Sequence, residues 1–422
     1  MEFNGQYEVT QGVKLIPRGR SVVFQQNKFY TVVVKTVNLQ EALLFSSADG
    51  ESWQQDETIS LSTNINDISI CAGENVIYIF LAGSNYKIYQ YTYNAKTSQL
   101  SEQGEIFSVS GLKHLYAYYD FNSESLCLGF AANGAYFGYY DEGWTYDTLN
   151  PISGTGEYIT VGFLGETPWI SFGIDAYISN HVYGYVKESG VWSQKYDSYN
   201  NIAFYGASDG DVAVTIYSHS NSIPCRNIWQ RTSENWSSAT SILSSSYNDF
   251  YTASLLVSDT RYVILRYRIG GAGDVYVGYS KFVGGAYESP ISIYTLTSPS
   301  GAYTIPFPCD PYHLTSGFAC AFVDDNHGNK PMYVHFENAV FESFITYPKI
   351  ESISPSPCAP NKLITITGIN FGDEQNKSSV IFEKSGITKE GNVQSWSNNE
   401  ITCYTPELYA GEWDVRIRRL DT

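Results

Sequence analysis

Ser46-Ser47-Ala48-Asp49-Gly50-Glu51-Ser52-Trp53 is a short polar turn that delivers a large aromatic to the head of a polar strand, and its echoes along the chain decide the fold. The same signal returns as Lys96-Thr97-Ser98-Gln99-Leu100, Asp141-Glu142-Gly143-Trp144, Glu188-Ser189-Gly190-Val191-Trp192 and Ser233-Glu234-Asn235-Trp236. It then closes the series as Gly284-Gly285-Ala286-Tyr287 and Glu337-Asn338-Ala339-Val340-Phe341. Successive large residues stand 44 to 54 positions apart. A period near 45 residues, with about four short strands in each unit, is the spacing of propeller blades and not of helical solenoids. Helix-capping signals and i, i+3, i+4 apolar patterns are nearly absent, which argues the same way.

Each unit opens with small and β-branched residues of the kind that fit where inner strands crowd around a central channel. These openings are Ser21 to Phe24, Ile68 to Ala72, Leu115 to Tyr119, Ile159 to Phe163, Ile202 to Ala207, Ala253 to Val257 and Tyr303 to Phe307. Seven openings agree with seven turns, so the sequence predicts an all-β chain whose residues 1–347 form a seven-bladed β-propeller, with six blades as the alternative count.

Composition supports strands. Of 422 residues, 16% are aromatic, with 36 Tyr, while only 16% are charged, against about 25% in average proteins. Aromatics pack well on pleated surfaces, and long charged side chains are what exposed helices use. The net charge of −18 offers no positive field to collect phosphates, so neither nucleic acid nor an anionic membrane is an expected partner. No apolar run approaches the roughly 20 residues that cross a bilayer, so no membrane insertion is expected. The seven cysteines lack C-x-x-C spacing, which points to reduced, half-buried strand residues; Cys358 and Cys403 share one module, and their pairing is left open.

The turn ending at Trp53 resembles the Asp-box of sialidase-like propellers, S-x-D-x-G-x-T-W. Ser46, Gly50, Ser52 and Trp53 fall in register, and Ala48 stands where that family has its aspartate. The resemblance implies a structural hairpin between the third and fourth strands of a blade. After Tyr347-Pro348, the segments Pro348 to Pro355, Ile364-Thr365-Ile366-Thr367-Gly368-Ile369-Asn370-Phe371-Gly372, Val393 to Trp396, Ile401 to Pro406 and Gly411 to Arg416 resemble an IPT/TIG immunoglobulin-like domain over residues 348–422. That resemblance implies a two-sheet sandwich acting as a spacer or docking surface, with Gly368 and Gly372 supplying positive φ at a turn and bulge.

Searching for chemistry returns little. The arginine triad that a sialidase uses is not matched by Ile16-Pro17-Arg18, and Arg266 and Arg268 read as strand residues paired with carboxylates. Asp324-Asp325-Asn326-His327-Gly328-Asn329 lacks the alternation of a calcium loop and reads as a polar hairpin turn. The six histidines show no metal-ligand spacing, so no metal and no cofactor are expected.

What stands out is tyrosine: Tyr116, Tyr118, Tyr119, Tyr136, Tyr139, Tyr140, Tyr158, Tyr183 and Tyr185, among loops rich in Asn and Ser. Flat rings stack on sugars and amides bond their hydroxyls, though the same rings also pave the space between blades. Loops entering the inner strands open on one face of a propeller, which nominates Asp67, His114, Tyr158, Asn201, Tyr251 and Tyr303 as ligand-binding residues.

The functional expectation is a non-enzymatic binding or structural protein working outside the cell. Its most concrete version is a bacteriophage tail or receptor-binding component, since extracellular-style modules here begin at Met1 without a secretion signal. Expected partners are a host-surface glycan or other virion proteins, with homo-oligomerisation left open. The competing expectation is a secreted sialidase-like glycoside hydrolase or lectin.

Overall fold

The computed structural model describes residues 2–418 apart from 18–19, 74, 121–123, 150–154, 165–166, 176–180, 200–201, 204–206, 210–211, 219–223, 231–234, 237–239, 242–246, 258–259, 270–273, 284–285, 297–305, 310–313, 325–328, 342–348, 370, 373–374, 376–377, 385–386 and 409. It describes backbone alone for 155–158, 164, 174–175, 181, 196–199, the remaining residues of 202–257, 261, 268–269, 296, 349 and 418. Every regular element described is a strand. The chain divides into two compact units, Met1–Ser343 and Phe344–Thr422.

The first unit is a β-propeller of seven sheets. Blade 2 gives the pattern: Ile65–Ala72, Val76–Gly83, Lys87–Asn94 and Gln99–Ser108 follow one another outwards as antiparallel neighbours. Its second strand, Val-Ile-Tyr-Ile-Phe-Leu-Ala-Gly, is apolar almost throughout because both of its faces are covered. Its fourth, Gln-Leu-Ser-Glu-Gln-Gly-Glu-Ile-Phe-Ser, alternates and is largely exposed. Hydrophobicity falling from inner to outer strand therefore fixes this blade's orientation to the channel.

Blade 3 runs His114–Asp120, Ser125–Ala131, Ala135–Tyr140 and Trp144–Leu149, and blade 4 runs Thr155–Leu164, Thr167–Asp175, His181–Glu188 and Val191–Tyr199. Inner strands of consecutive blades neighbour one another around the ring, and Ser21 completes it: its N–H donates to Pro308 O at 2.8 Å and its hydroxyl to Phe307 O at 2.9 Å. Asp67 stitches two inner strands together, accepting the Leu115 N–H on Oδ2 at 2.8 Å, while Ser69 Oγ accepts the Ala117 N–H at 2.7 Å.

Six of the seven turn signals deliver their large residue at the head of a fourth strand. The seventh departs from the expected pattern, because Phe341 ends the third strand of blade 7, Met332–Phe341. The fourth strand of that blade is Glu2–Thr10, paired antiparallel from Glu2 with Val340 to Thr10 with Met332. Phe3, Phe24, Phe29, Phe336 and Phe341 pack where the last blade meets the first, with Phe3 to Phe29 and Phe29 to Phe336 each 4.9 Å between centroids. Aromatic pairs at that distance add about 0.5–1.5 kcal/mol each beyond area burial.

The repeated tryptophans are mortar between blades. Trp144 Nε1 donates to Gln90 Oε1 of blade 2 at 2.6 Å, and Trp192 Nε1 donates to Asp147 Oδ2 of blade 3 at 2.9 Å. Several of the tyrosines read above as surface are covered too: Tyr116, Tyr119 and Tyr183 are buried, and Tyr119 stacks on Tyr78 of blade 2 at 5.8 Å, whereas Tyr140 is exposed. Cys71, Cys127, Cys309, Cys320 and Cys403 are fully buried and not half-buried, which suits small apolar side chains in strands.

The second unit is a sandwich. One sheet orders Lys349–Ser354, Leu363–Ile369, Glu400–Tyr404 and Asn392–Trp396, and the other Ile387–Glu390, Ser379–Lys384 and Asp414–Arg418. Ile364, Ile366, Phe371, Val380, Phe382, Ile401, Cys403 and Ile417 form its core, with Trp396 and Trp413 packed partly buried against it. Trp396 Nε1 donates to Phe371 O at 2.9 Å. Gly372 has φ +85°, as expected, whereas Gly368 is an ordinary residue of an extended strand. Cys358 is exposed, Cys403 is buried, and the two are thiols in this structure.

Candidate functional site

A cleft of about 350 Å³ opens between blades 6 and 7. Thr260 and Tyr262 begin the second strand of blade 6, Thr260–Ile269, and Tyr279 and Lys281 lie near the end of its third, Val275–Val283. Thr315, Ser316 and Gly317 begin the second strand of blade 7, Leu314–Val323, and Glu337 and Asn338 lie near the end of Met332–Phe341. Second strands begin, and third strands end, on the face where inner strands run out. The cleft therefore lies on the face opposite the loops that enter the inner strands.

Its floor is aromatic. The rings of Tyr279 and Phe318 are 4.4 Å apart between centroids, and Tyr262 and Phe318 are 5.4 Å apart. Phe318 is fully buried and Tyr262 nearly so, while Tyr279 is only partly covered. His335 backs Phe318 at 6.0 Å, and its Nε2 lies 3.3 Å from Glu337 Oε2. Asn338 Nδ2 donates to Glu337 Oε1 at 3.3 Å. Lys281 Nζ stands 5.9 Å from the Tyr262 ring.

Glu337 reaches the tyrosines electrically as well as sterically. Burial first, and the Glu337 carboxylate second, raise the phenol of Tyr262 above its ordinary value, and the same two causes lead for Tyr279. Both hydroxyls thus stay protonated and able to donate. Burial holds the His335 imidazole below its ordinary value, against the opposing pull of Glu337.

The backbone here is irregular. Pairing between the second and third strands of blade 7 slips on both sides of Ser316, and Gly317 and Asn338 take φ of +71° and +46°. A Cβ on Gly317 would lie 2.2 Å from Asn338 O, so only glycine fits. Bulges of this kind re-aim side chains, and left-handed non-glycine residues are costly and cluster at functional sites.

Sequence register explains why the cleft is open. Third strands carry Phe137-Gly138-Tyr139 in blade 3, Tyr183-Gly184-Tyr185 in blade 4, Val277-Gly278-Tyr279 in blade 6 and Val334-His335-Phe336 in blade 7. Two residues past the last aromatic come Lys187 in blade 4 and Asn338 in blade 7. Lys187 reaches back over Tyr139 of the preceding blade at 5.0 Å and is anchored on Asp147 Oδ2 at 2.6 Å. Asn338 is too short to cover Tyr279 in the same way, and the ring lies in a cleft.

The residues nominated from sequence stand elsewhere. Asp67 is fully buried and bonded to the Leu115 N–H, with His114 Nδ1 at 3.7 Å from its Oδ2. These two meet at the entrance to blades 2 and 3, and the carboxylate is occupied in joining them. Asn201 and Tyr303, and the side chains of Tyr158 and Tyr251, lie outside the described residues. Asp324 belongs to the turn that links the second and third strands of blade 7 and accepts the Tyr294 hydroxyl at 2.7 Å, another tie between blades. Among the described residues there is no cluster of His, Cys, Asp and Glu able to hold a metal ion. No described helix is long and apolar enough to cross a membrane.

Residues 348–419 match the family model described as IPT/TIG domain, and this C-terminal segment is an IPT/TIG domain. Among solved structures, the chain resembles an ulvan lyase of polysaccharide lyase family PL25, with TM-score 0.58, 12% identity, and coverage of 82% of this chain and 98% of that one. The same lyase bound to a -[GlcA(1-4)Rha3S]- ligand matches with TM-score 0.57, 12% identity and the same coverage. The SapL1 lectin, in complex with alpha methyl fucoside, aligns over 68% of this chain and 99% of its own with 10% identity and TM-score 0.44. These likenesses are of fold. No curated protein matched the chain.

Proposed function

We propose that this protein is a non-enzymatic carbohydrate-binding protein whose propeller takes a glycan in the cleft between blades 6 and 7. The observation that carries the reading is the partly covered ring of Tyr279 on an aromatic floor, rimmed by Glu337, Asn338 and the hydroxyl residues Thr260, Thr315 and Ser316. Sugars present apolar C–H faces beside dense hydroxyls, and tyrosine with amide and carboxylate neighbours answers both. A volume of about 350 Å³ falls in the range of small-molecule pockets, about 300–1,000 Å³. In this reading the protein works outside the cell, most concretely as a bacteriophage tail component held to a host-surface glycan or to neighbouring virion proteins, with the IPT/TIG domain as spacer.

Tyr279→Ala should weaken glycan binding by about tenfold or more, of the order expected when a stacking ring is lost. Immobilised-glycan binding with a thermal melt alongside checks it. A folded Tyr279→Ala protein that binds as before sinks the placement. Loss of binding in a folded Tyr158→Ala, Tyr251→Ala double variant instead would move the site to the mouth of the inner strands.

One arrangement favours a second reading, a glycan-cleaving enzyme. His335, whose imidazole burial holds below its ordinary value, lies against Glu337, whose carboxylate in turn raises two tyrosine phenols, and these are the groups from which a general base and acid are drawn. New reducing ends released from a bound polysaccharide, and lost on His335→Ala, would establish it.

A further inference from the structure

We propose that the cleft selects uncharged, hydroxyl-rich saccharides and rejects uronate, sialylated and sulfated ones, with Glu337 as the discriminating residue; the inference rests on the carbohydrate reading above. Glu337 has bonding capacity left to offer. Each carboxylate oxygen already meets one neighbour, Oε1 the amide of Asn338 and Oε2 the imidazole of His335, both at 3.3 Å. An ionised carboxylate accepts only, and each oxygen has a further lone pair. Its side chain is 30% exposed and lines the cleft, so the remaining capacity is presented to whatever enters. That capacity is satisfied by O–H or N–H donors. A ligand carboxylate or sulfate in the same place brings lone pairs against lone pairs and charge against like charge.

Three further features reinforce the choice. Asn338 and His335 flank the carboxylate from both sides. The hydroxyls of Tyr262 and Tyr279 remain protonated, adding neutral donors and no charge. The cation in the lining, Lys281, stands beside the Tyr262 ring and balances Glu337 without leaving a positive excess. Anion recognition ordinarily takes bidentate or clustered cations, and the chain as a whole carries −18, which repels polyanions before they arrive.

The test is an array carrying neutral saccharides beside uronate, sialylated and sulfated versions of the same backbones, probed with the full chain at low salt. Wild-type protein should bind neutral members and bind each anionic counterpart about tenfold or more weakly, a difference that salt should narrow. Glu337→Gln should raise the signal on each anionic counterpart relative to its neutral partner, so that the roughly tenfold ratio between them falls toward one whatever the change in neutral binding. Anionic members bound as tightly as neutral ones, with Tyr279→Ala abolishing both, would overturn the selectivity and leave the site standing. Binding to no member would overturn the carbohydrate reading and the selectivity together.

Discussion

The carboxylate of Asp49 accepts the Ser47 hydroxyl at 2.9 Å and the backbone N–H groups of Glu51 and Ser52 at 2.9 and 2.8 Å, while Trp53 Nε1 donates to Gly50 O at 3.0 Å. These bonds rebuild the Asp-box-like turn one position later than the family pattern has it. The aspartate absent at Ala48 is supplied by its neighbour, and the turn lies where the resemblance implies, between the third strand Asn38–Ser47 and the fourth, Gln54–Ser60. The Ser52 N–H, the Ser47 hydroxyl and the Glu51 N–H, in that order, lower the Asp49 carboxyl below the ordinary carboxylate range. With a folded value below the unfolded one of about 3.9, its contribution is present above about pH 4 and is lost as pH falls through the folded value. Asp49→Asn should cost about 1 kcal/mol at pH 7, the scale of a net hydrogen bond at an exposed turn, with the gap from wild type closing below about pH 4. Denaturant melts at pH 7 and pH 3 check the sign; a gap that widened in acid would contradict it.

At the scale of elements, the third strands of blades 4 and 7 differ in what they set beside a tyrosine of the preceding blade. Lys187 covers Tyr139, and Asn338 leaves Tyr279 in a cleft. Asn338→Lys should fill the cleft and abolish glycan binding while shifting the melting temperature by only a few degrees, because Asn338 itself is exposed. A folded variant with intact binding would show that the cleft is not the site. The blade period was legible because turn signals and inner-strand openings recur along the chain, six of the seven turns standing at the head of a fourth strand. Which face carries the cleft was not legible. It depends on one short side chain and on the slipped pairing around Ser316, and neither has a periodic signature. The x-Gly-Tyr pattern of the third strands in blades 3, 4 and 6, and its loss at Val334-His335-Phe336 in blade 7, is the signal that could have found it. At Asp67 the sequence shows a carboxylate near the start of an inner strand, and the structure adds the Leu115 N–H that it accepts.

For the whole molecule, two units with separate cores should melt independently. Residues 344–422 expressed alone should give a cooperative transition with a change in Trp396 fluorescence, since Trp396 is bonded to Phe371 O only in the folded sandwich. A featureless melt would show that the sandwich needs the propeller. The pairing of Glu2–Thr10 with Met332–Phe341 bears on how the larger unit is made. More than three hundred residues lie between Glu2 and its partner Val340, so this contact carries the heaviest loop-closure entropy of any in the ring. Synthesis at about 5–20 residues per second puts tens of seconds between the two strands leaving the ribosome. Through that interval Phe3 and Tyr7 have no finished blade to join, and a strand made before the rest of the ring becomes the last to be seated. Non-local pairing of this kind is slow and leaves strand edges open to association. Nascent chains stalled just short of Met332 would therefore be the form in which this protein most needs a chaperone.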